Sequence, residues 1–332
     1  MLHALALLVA ATASGGPPTP ACADLTAGLR AAYTFRPSKL GRDEQRTKKA
    51  EVDRLWSRVR SKPRELVPCL RKALSAADVD PWLLFDGAEI LMQLDPGNET
   101  KLLEVRGLGA VEIVDVDPKS WLFLVTERAM DGFDVSEAAL KWLKAPNAGY
   151  VIPERNNQKV THDNGVLFIF GSMDEELATP TLAQFVKREP GPSREVALWA
   201  LMTQANESAL RALRTLDPKT FSEKAGGSLL ALRKKPALIE PRAKPLRAHD
   251  EYVRALRDLV NGDFAAFGAL LRRDPNGEKD LVALMRKEDL PLLRAARRKM
   301  ASLRDPDLIP TYNAFSQVLM TLVWKPAAPP KR

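Results

Sequence analysis

The stretch from Arg194 to Leu216 constrains the fold most, because it holds two short amphipathic helices joined by a turn. Apolar residues recur at helical spacing on both sides of that turn: Val196, Trp199, Ala200 and Thr203, then Leu210, Leu213 and Leu216. Neither helix can bury its apolar stripe alone, so the pair needs neighbours on both sides. Aromatic residues make up only 6% of the chain, which also favours helices over sheets. The sequence therefore predicts an all-α fold of stacked helical hairpins.

Two Asp-Pro steps give the clearest internal echo in the chain. Asp80-Pro81 and Asp117-Pro118 lie 37 positions apart, and an apolar helix and then a second helix follow each of them. Aspartate as N-cap and proline at the first helical position are a helix start with a physical cause, since the carboxylate accepts orphan amides and proline fixes φ. Before this echo, Arg42 to Arg60 is predicted as a helix with Val52, Leu55, Trp56 and Val59 on one face.

This spacing of helix pairs resembles HEAT-like repeats, whose period is close to 40 residues. The resemblance is architectural, covers about residues 63–232, and matches no repeat consensus residue by residue. It implies an irregular α-solenoid, a curved stack whose concave side binds a partner protein. The alternative is an irregular all-helical domain without true repeats.

The N-terminus has the pattern of an export signal. Leu2 to Ala13 is an apolar run of signal-peptide length, too short to span a bilayer, which takes about 20 residues. We expect residues 1–23 to form a signal peptide and processing region, and the protein to be periplasmic or extracellular. The start, Met1-Leu2-His3, lacks the usual basic residue. A greasy leader retained on a cytosolic protein is therefore the alternative.

The two cysteines, Cys22 and Cys69, are predicted to form a disulfide in an oxidising compartment. The prediction depends on the cleavage site. Cleavage at Ala11-Thr12-Ala13 leaves both cysteines in the mature chain, whereas cleavage at Ala21-Cys22-Ala23 leaves Cys69 alone.

The sequence divides the chain into a helical-repeat-like domain over residues 24–232, a proline-rich basic linker over 233–248, and a C-terminal helical subdomain over 249–325. Residues 326–332 are predicted to be a disordered tail. The segment from Pro146 to Pro180 fits this pattern least well. Tyr150 to Pro153 is a candidate strand, Val166 to Phe170 is either strand or helix with helix preferred, and 154–163 is predicted to project as a loop.

The net charge of +8 is distributed unevenly. Lys and Arg outnumber Asp and Glu by 14 to 6 over residues 24–72 and by 23 to 13 over 219–332, whereas acids outnumber bases by 23 to 13 over 73–218. Basic ends that dock on an anionic partner are one interpretation, and solvated helix faces are the preferred one. Basic residues cluster at Arg294, Arg297, Arg298 and Lys299 without interleaved aromatics, which gives no strong nucleic-acid signal.

Catalytic and cofactor motifs are not evident in the sequence. His162 and His249 are predicted to be exposed, and no zinc, dinucleotide or nucleotide motif is complete, so no cofactor or metal is predicted. The one constellation worth testing as an active site is His162 with the acidic run Asp174-Glu175-Glu176. The preferred interpretation of this run is the start of a helix, where negative charge meets the helix dipole.

Two functions follow from these observations. The first is an exported, non-enzymatic protein-interaction scaffold that binds an unidentified protein through its helical surface. The alternative is a secreted hydrolase-like enzyme with a site in residues 150–176. The sequence fixes neither the partner nor the oligomeric state.

Overall fold

The computed structural model describes residues 20–34, 40–152, 158–188, 191–204, 206–234, 247–273, 285, 289–303 and 319. Within these ranges it has fifteen α-helices and one two-stranded sheet, so the predicted all-α class is confirmed. The solenoid arrangement stays a prediction. The chain divides into two compact units at Gly107 and Leu108. Most of the linker predicted over 233–248 lies outside the described residues, as do the leader before residue 20 and the tail.

Five helices form the first unit. They are α1 (Pro20–Ala32), α2 (Arg42–Ser61), α3 (Pro63–Leu74), α4 (Pro81–Leu94) and α5 (Asn98–Ala110), the last of which runs past the division at Gly107. The predicted start of α4 is confirmed, because Asp80 Oδ1 accepts the backbone amide of Trp82 at 2.8 Å. Helix α1 packs on α2 and α3, and α3 packs on α4. All five helices contribute residues to the core of the unit, with Leu103 supplied by α5, and none of them buries its apolar face alone.

Cys22 on α1 and Cys69 on α3 are paired as a disulfide, with Cα atoms 5.4 Å apart. The bond closes 47 positions of chain and ties the first helix to the third. Because α1 begins at Pro20, processing after Ala23 would remove both the first turn of this helix and half of the bond. A mature chain that began after Ala23 could therefore not form this bond.

The second unit contains the remaining helices and the sheet. The helices are α6 (Pro118–Met130), α7 (Ser136–Leu143), α8 (His162–Ser172), α9 (Glu175–Arg188), α10 (Pro192–Thr203), α11 (Glu207–Arg214), α12 (Glu223–Lys234), α13 (Arg247–Val260), α14 (Ala265–Arg273) and α15 (Leu290–Leu303). Short 3₁₀ turns lie at Ile113–Asp115 and Pro218–Thr220. The second predicted Asp-Pro start is also confirmed, since Asp117 Oδ2 accepts the Ser120 amide at 2.9 Å before α6.

The hairpin of α10 and α11 is present where the sequence predicts it. Helix α10 packs against α7, α8, α9, α11 and α12. Its fully buried residues include Ala197 and Leu201, whereas Val196 and Trp199, which the helical period placed on the buried stripe, are only partly buried. A helix with neighbours on several sides buries more than one stripe, so the apolar period alone does not locate its core face.

The segment over residues 146–180 contains both kinds of structure. Strand β1 (Tyr150–Ile152) pairs antiparallel with β2 (Gln158–Val160), and Val166 to Phe170 lie inside α8. The preferred helix is therefore confirmed and the strand at 150–152 is present. The prediction that residues 154–163 form a projecting loop is wrong at 158–160, which form β2, and at 162–163, which begin α8. The polar backbone groups of β2 are satisfied by pairing with β1.

Buried arginines connect α15 to the rest of the second unit. The Arg297 side chain is fully buried and donates to Glu127 at 2.5 Å and to Asp131 at 2.6 Å. Arg298 donates to Asp174 at 2.6 Å. Within the predicted C-terminal helical subdomain the described residues form α13, α14 and α15, whereas residues 304–318 and 320–325 lie outside the described residues.

Candidate binding cleft

A cleft of about 360 Å³ lies between α2 and α4 in the first unit. Each helix lines it with residues three, four or seven positions apart, so one stripe of each helix faces the opening. Helix α2 contributes Gln45, Lys49, Val52, Asp53, Trp56 and Arg60. Helix α4 contributes Trp82, Asp86, Glu89, Ile90 and Gln93, and Tyr33, just after α1, also lines it. We refer to this feature as the α2–α4 cleft.

Three side chains in the α2–α4 cleft are joined by hydrogen bonds. The indole Nε1 of Trp56 donates to the Tyr33 hydroxyl at 3.0 Å, and that hydroxyl donates to Asp86 Oδ2 at 2.6 Å. Trp56 and Tyr33 are almost completely buried, and their rings lie 6.1 Å apart between centroids. The core of the unit therefore holds the Asp86 carboxyl in a fixed position.

The electrostatics of this chain of hydrogen bonds are set by burial. Burial raises the pKa of the Asp86 carboxyl from 3.8 to about 6, the hydrogen bond from Tyr33 opposes the rise, and the nearby Glu89 charge adds to it. Burial also raises the pKa of Tyr33 beyond its ordinary range, with further contributions from the charges of Asp86 and Asp53. The phenol therefore remains a donor at neutral pH.

The rim of the α2–α4 cleft has both signs of charge. Lys49, Asp53 and Arg60 are exposed on the α2 side, and Glu89 is exposed on the α4 side. Trp82 is partly buried, and its ring meets Phe85 edge-on at 5.9 Å. An aromatic and apolar lining around a buried carboxylate suits a cationic group, and a carboxyl with a pKa near 6 also suits proton transfer.

The residues singled out from the sequence lie elsewhere, in the second unit. The prediction that His162 is exposed is wrong: the residue is 6% exposed, and its Nε2 lies 2.8 Å from the Trp142 carbonyl oxygen. In return, the Trp142 indole donates to the His162 carbonyl at 3.0 Å. This reciprocal pair fixes the start of α8 against α7, which is a structural role.

The acidic run lies at the start of α9 and is partnered with arginines of α15. Asp174 accepts from Arg298, and its carboxylate lies 3.9 Å from Arg294. Burial raises the pKa of the Glu175 carboxyl, which the Arg294 charge opposes. Arg294 and Arg297 of the basic cluster are themselves buried. The described contacts of His162 go to Trp142 of α7, whereas those of Asp174 go to arginines of α15. These contacts do not join His162 to the acidic run.

Sequence reasoning missed the α2–α4 cleft, although one signal was present. Trp82, Asp86, Glu89 and Gln93 recur at the spacing of one helical face, a polar and aromatic stripe beside the apolar one. On α2, the predicted core face is confirmed for Val52, Trp56 and Val59, whereas Leu55 is partly buried. What the sequence could not supply is the packing that brings the two stripes together.

Comparisons with known proteins give no relative from which a function could be inferred, so the inference rests on the chemistry of the site. No family model, curated protein or solved structure matches the chain. Among the described residues, no cluster of histidine, cysteine and carboxylate side chains is arranged to hold a metal ion. No helix in the described ranges combines the length and apolar character needed to cross a bilayer.

Proposed function

We propose that the protein is an exported, non-enzymatic scaffold that binds another protein, and that the α2–α4 cleft is its binding site. The observation that carries the proposal is the composition of this cleft, which places the partly exposed Trp82 and the exposed Arg60 at one opening above the buried pair Trp56 and Tyr33. Tryptophan, tyrosine and arginine are the residues that contribute most to binding energy at protein interfaces, where they cluster in pockets. A groove between two helices is also a common seat for a helical segment of a partner.

Export is supported by two features of the chain. The apolar run at residues 2–13 has the length of a signal-peptide core, and Cys22 and Cys69 are paired. Stable disulfides form outside the reducing cytoplasm. N-terminal sequencing of the protein from the envelope and medium fractions tests this part: a mature start before Cys22 is expected, and recovery of the intact leader in the cytoplasm contradicts it.

The hydrolase alternative in residues 150–176 has less support. A catalytic histidine needs a ring nitrogen within reach of a substrate, whereas His162 is buried and directs Nε2 to a backbone carbonyl. The arginines beside Asp174 also occupy the acidic run with ion pairs inside the unit. A binding role therefore accounts for more of the described contacts.

Site-specific photo-cross-linking tests the binding site. A photoreactive amino acid replaces Gln93, which is exposed at the cleft, and in a matched variant it replaces Ala50, which is exposed on α2 but does not line the cleft. In producing cells, we expect a discrete protein adduct from position 93 that is absent from position 50. Adduct formation should also fall when Trp82 is changed to Ala in the position-93 variant. Equal adducts from both positions, or none from position 93, would contradict the proposed site.

A further inference from the structure

We propose that the partner inserts an arginine or lysine side chain into the α2–α4 cleft, with its charged group beside the carboxylate of Asp86. This inference rests on the proposed function and specifies the chemistry of the residue that the cleft recognises. It follows from the charge, the lining and the rim of the cleft.

The charge inside the cleft belongs to the carboxylate of Asp86. Asp86 is partly buried, and its described hydrogen bond comes from Tyr33, which is neutral. The nearby charge of Glu89 is also negative and raises the pKa of the Asp86 carboxyl further. Asp86 forms no salt bridge with a lysine or arginine among the described residues. A carboxylate held away from water without a counter-ion is unfavourable, and a cation supplied by a partner relieves that cost.

The lining around this carboxylate is apolar and aromatic. Arginine and lysine carry an apolar stem that ends in a charge, and the cleft offers the matching order of surfaces. Val52 and Ile90 provide apolar contact, and Trp82 provides an aromatic ring that is partly open to solvent. The volume of about 360 Å³ is ample for one long side chain. A cation beside an aromatic ring gains further attraction from the ring face.

The rim of the cleft distinguishes a protein side chain from a free polyamine. Lys49 and Arg60 line the α2 side of the same cleft and are exposed. These charges oppose the attraction that Asp53 and Glu89 on the same rim exert on a small molecule with several positive groups. They attract acidic residues that flank a single basic side chain on a polypeptide. The mixed rim therefore matches a basic residue in an acidic or neutral segment of a partner protein.

The test compares two capped amino acids that differ by one charge. N-acetyl-arginine methylamide and N-acetyl-citrulline methylamide have nearly the same shape, but citrulline is neutral. Each is titrated into the full chain at pH 8 while the indole ¹H–¹⁵N signals of tryptophan are recorded, with the Trp82 signal assigned from a Trp82→Phe variant. We expect saturable shifts of the Trp82 signal and an affinity for the arginine compound about tenfold above that for the citrulline compound.

The control variants separate a specific carboxylate from general charge. Asp86→Asn should abolish the preference for arginine, and Glu89→Gln should reduce it in part. Asp43→Asn makes the same change of charge on a fully exposed α2 side chain outside the cleft and should leave the preference unchanged. Circular dichroism confirms that each variant is folded, and Glu89→Gln keeps the test decisive if Asp86→Asn does not fold.

The possible outcomes distinguish this inference from the proposed function. Equal affinities for the two compounds, or a preference for arginine that survives Asp86→Asn, would overturn the proposal that the cleft binds an arginine or lysine side chain beside Asp86. Tighter binding of spermidine than of the arginine compound also overturns it, because it assigns the site to a free polyamine. If position 93 still forms its protein adduct in those cases, the proposed function stands and only the basic side chain is refuted.

Discussion

Replacing Asp86 with Asn is expected to stabilise the first unit at pH 8 by up to about 3 kcal/mol. The pKa of the Asp86 carboxyl is about 6 in the folded protein and 3.8 ordinarily. Each pH unit between the two values corresponds to about 1.4 kcal/mol of unfolding free energy. The neutral amide avoids the burial of a charge, and its carbonyl oxygen can still accept the hydrogen bond from Tyr33.

The sign of the pH dependence follows from the direction of the shift. Below pH 3.8 the Asp86 carboxyl is protonated in the folded and unfolded states, so it has no effect on their difference. Between that value and about 6 the folded state holds the proton more tightly, and the stability of the wild type falls as the pH rises. The advantage of the Asn variant should therefore be absent at low pH, grow through this window and level off above it.

The assay is urea denaturation combined with hydrogen exchange of peptides from α1 and α4, which reports the first unit separately from the second. The wild type is compared with Asp86→Asn and with Glu89→Gln, whose carboxyl is exposed on the same helix. The exposed control should change stability by no more than about 0.5 kcal/mol. A destabilised Asp86→Asn at pH 8, or an effect independent of pH, would refute the burial of an uncompensated charge at this position.

Three further perturbations test the fold. Changing Cys69 to Ser should lower stability by roughly 3 kcal/mol or more, and reduction should add two hydrogens to the intact mass of the wild type; no mass change on reduction would exclude the bond. Gly165→Ala would place a methyl group 2.4 Å from the Trp142 ring and should cost several kcal/mol, whereas Gly227→Ala, with no atom within 4 Å of its added Cβ, should be neutral or stabilising in thermal denaturation. Arg297→Met leaves Glu127 and Asp131, which are partly buried, without this partner and should cost about 3 kcal/mol; a neutral effect would contradict the described network.

The local features of the fold were predictable from the sequence because their causes are local. The Asp-Pro starts of α4 and α6 need only an aspartate, a proline and the next few amides, all within one turn. The disulfide was predictable for a different reason, since a chain with two cysteines allows one intramolecular pair. Short strands β1 and β2 were harder, because a three-residue pairing depends on register as much as on composition.

The missed features depend on residues far apart in the chain. The polar neighbours of His162 in the sequence predict an exposed side chain. In the structure the side chain is buried against α7, where its Nε2 contacts the carbonyl oxygen of Trp142. The sequence predicts the helix that carries Asp86, but only the packing of α1 and α2 beside α4 gives this residue a buried tyrosine donor and a cleft. Helical period gives the face of a helix but does not identify the neighbour that covers it.

The most direct test of the Asp86 site is the titration of its carboxyl carbon by ¹³C NMR, with the signal assigned from Asp86→Asn. In the free protein the carboxyl should titrate with a pKa of about 6. Saturating N-acetyl-arginine methylamide should lower that pKa, because the cation stabilises the ionised form, and the citrulline compound should leave it unchanged. A pKa near 3.8 in the free protein, or the same response to both compounds, would contradict the account.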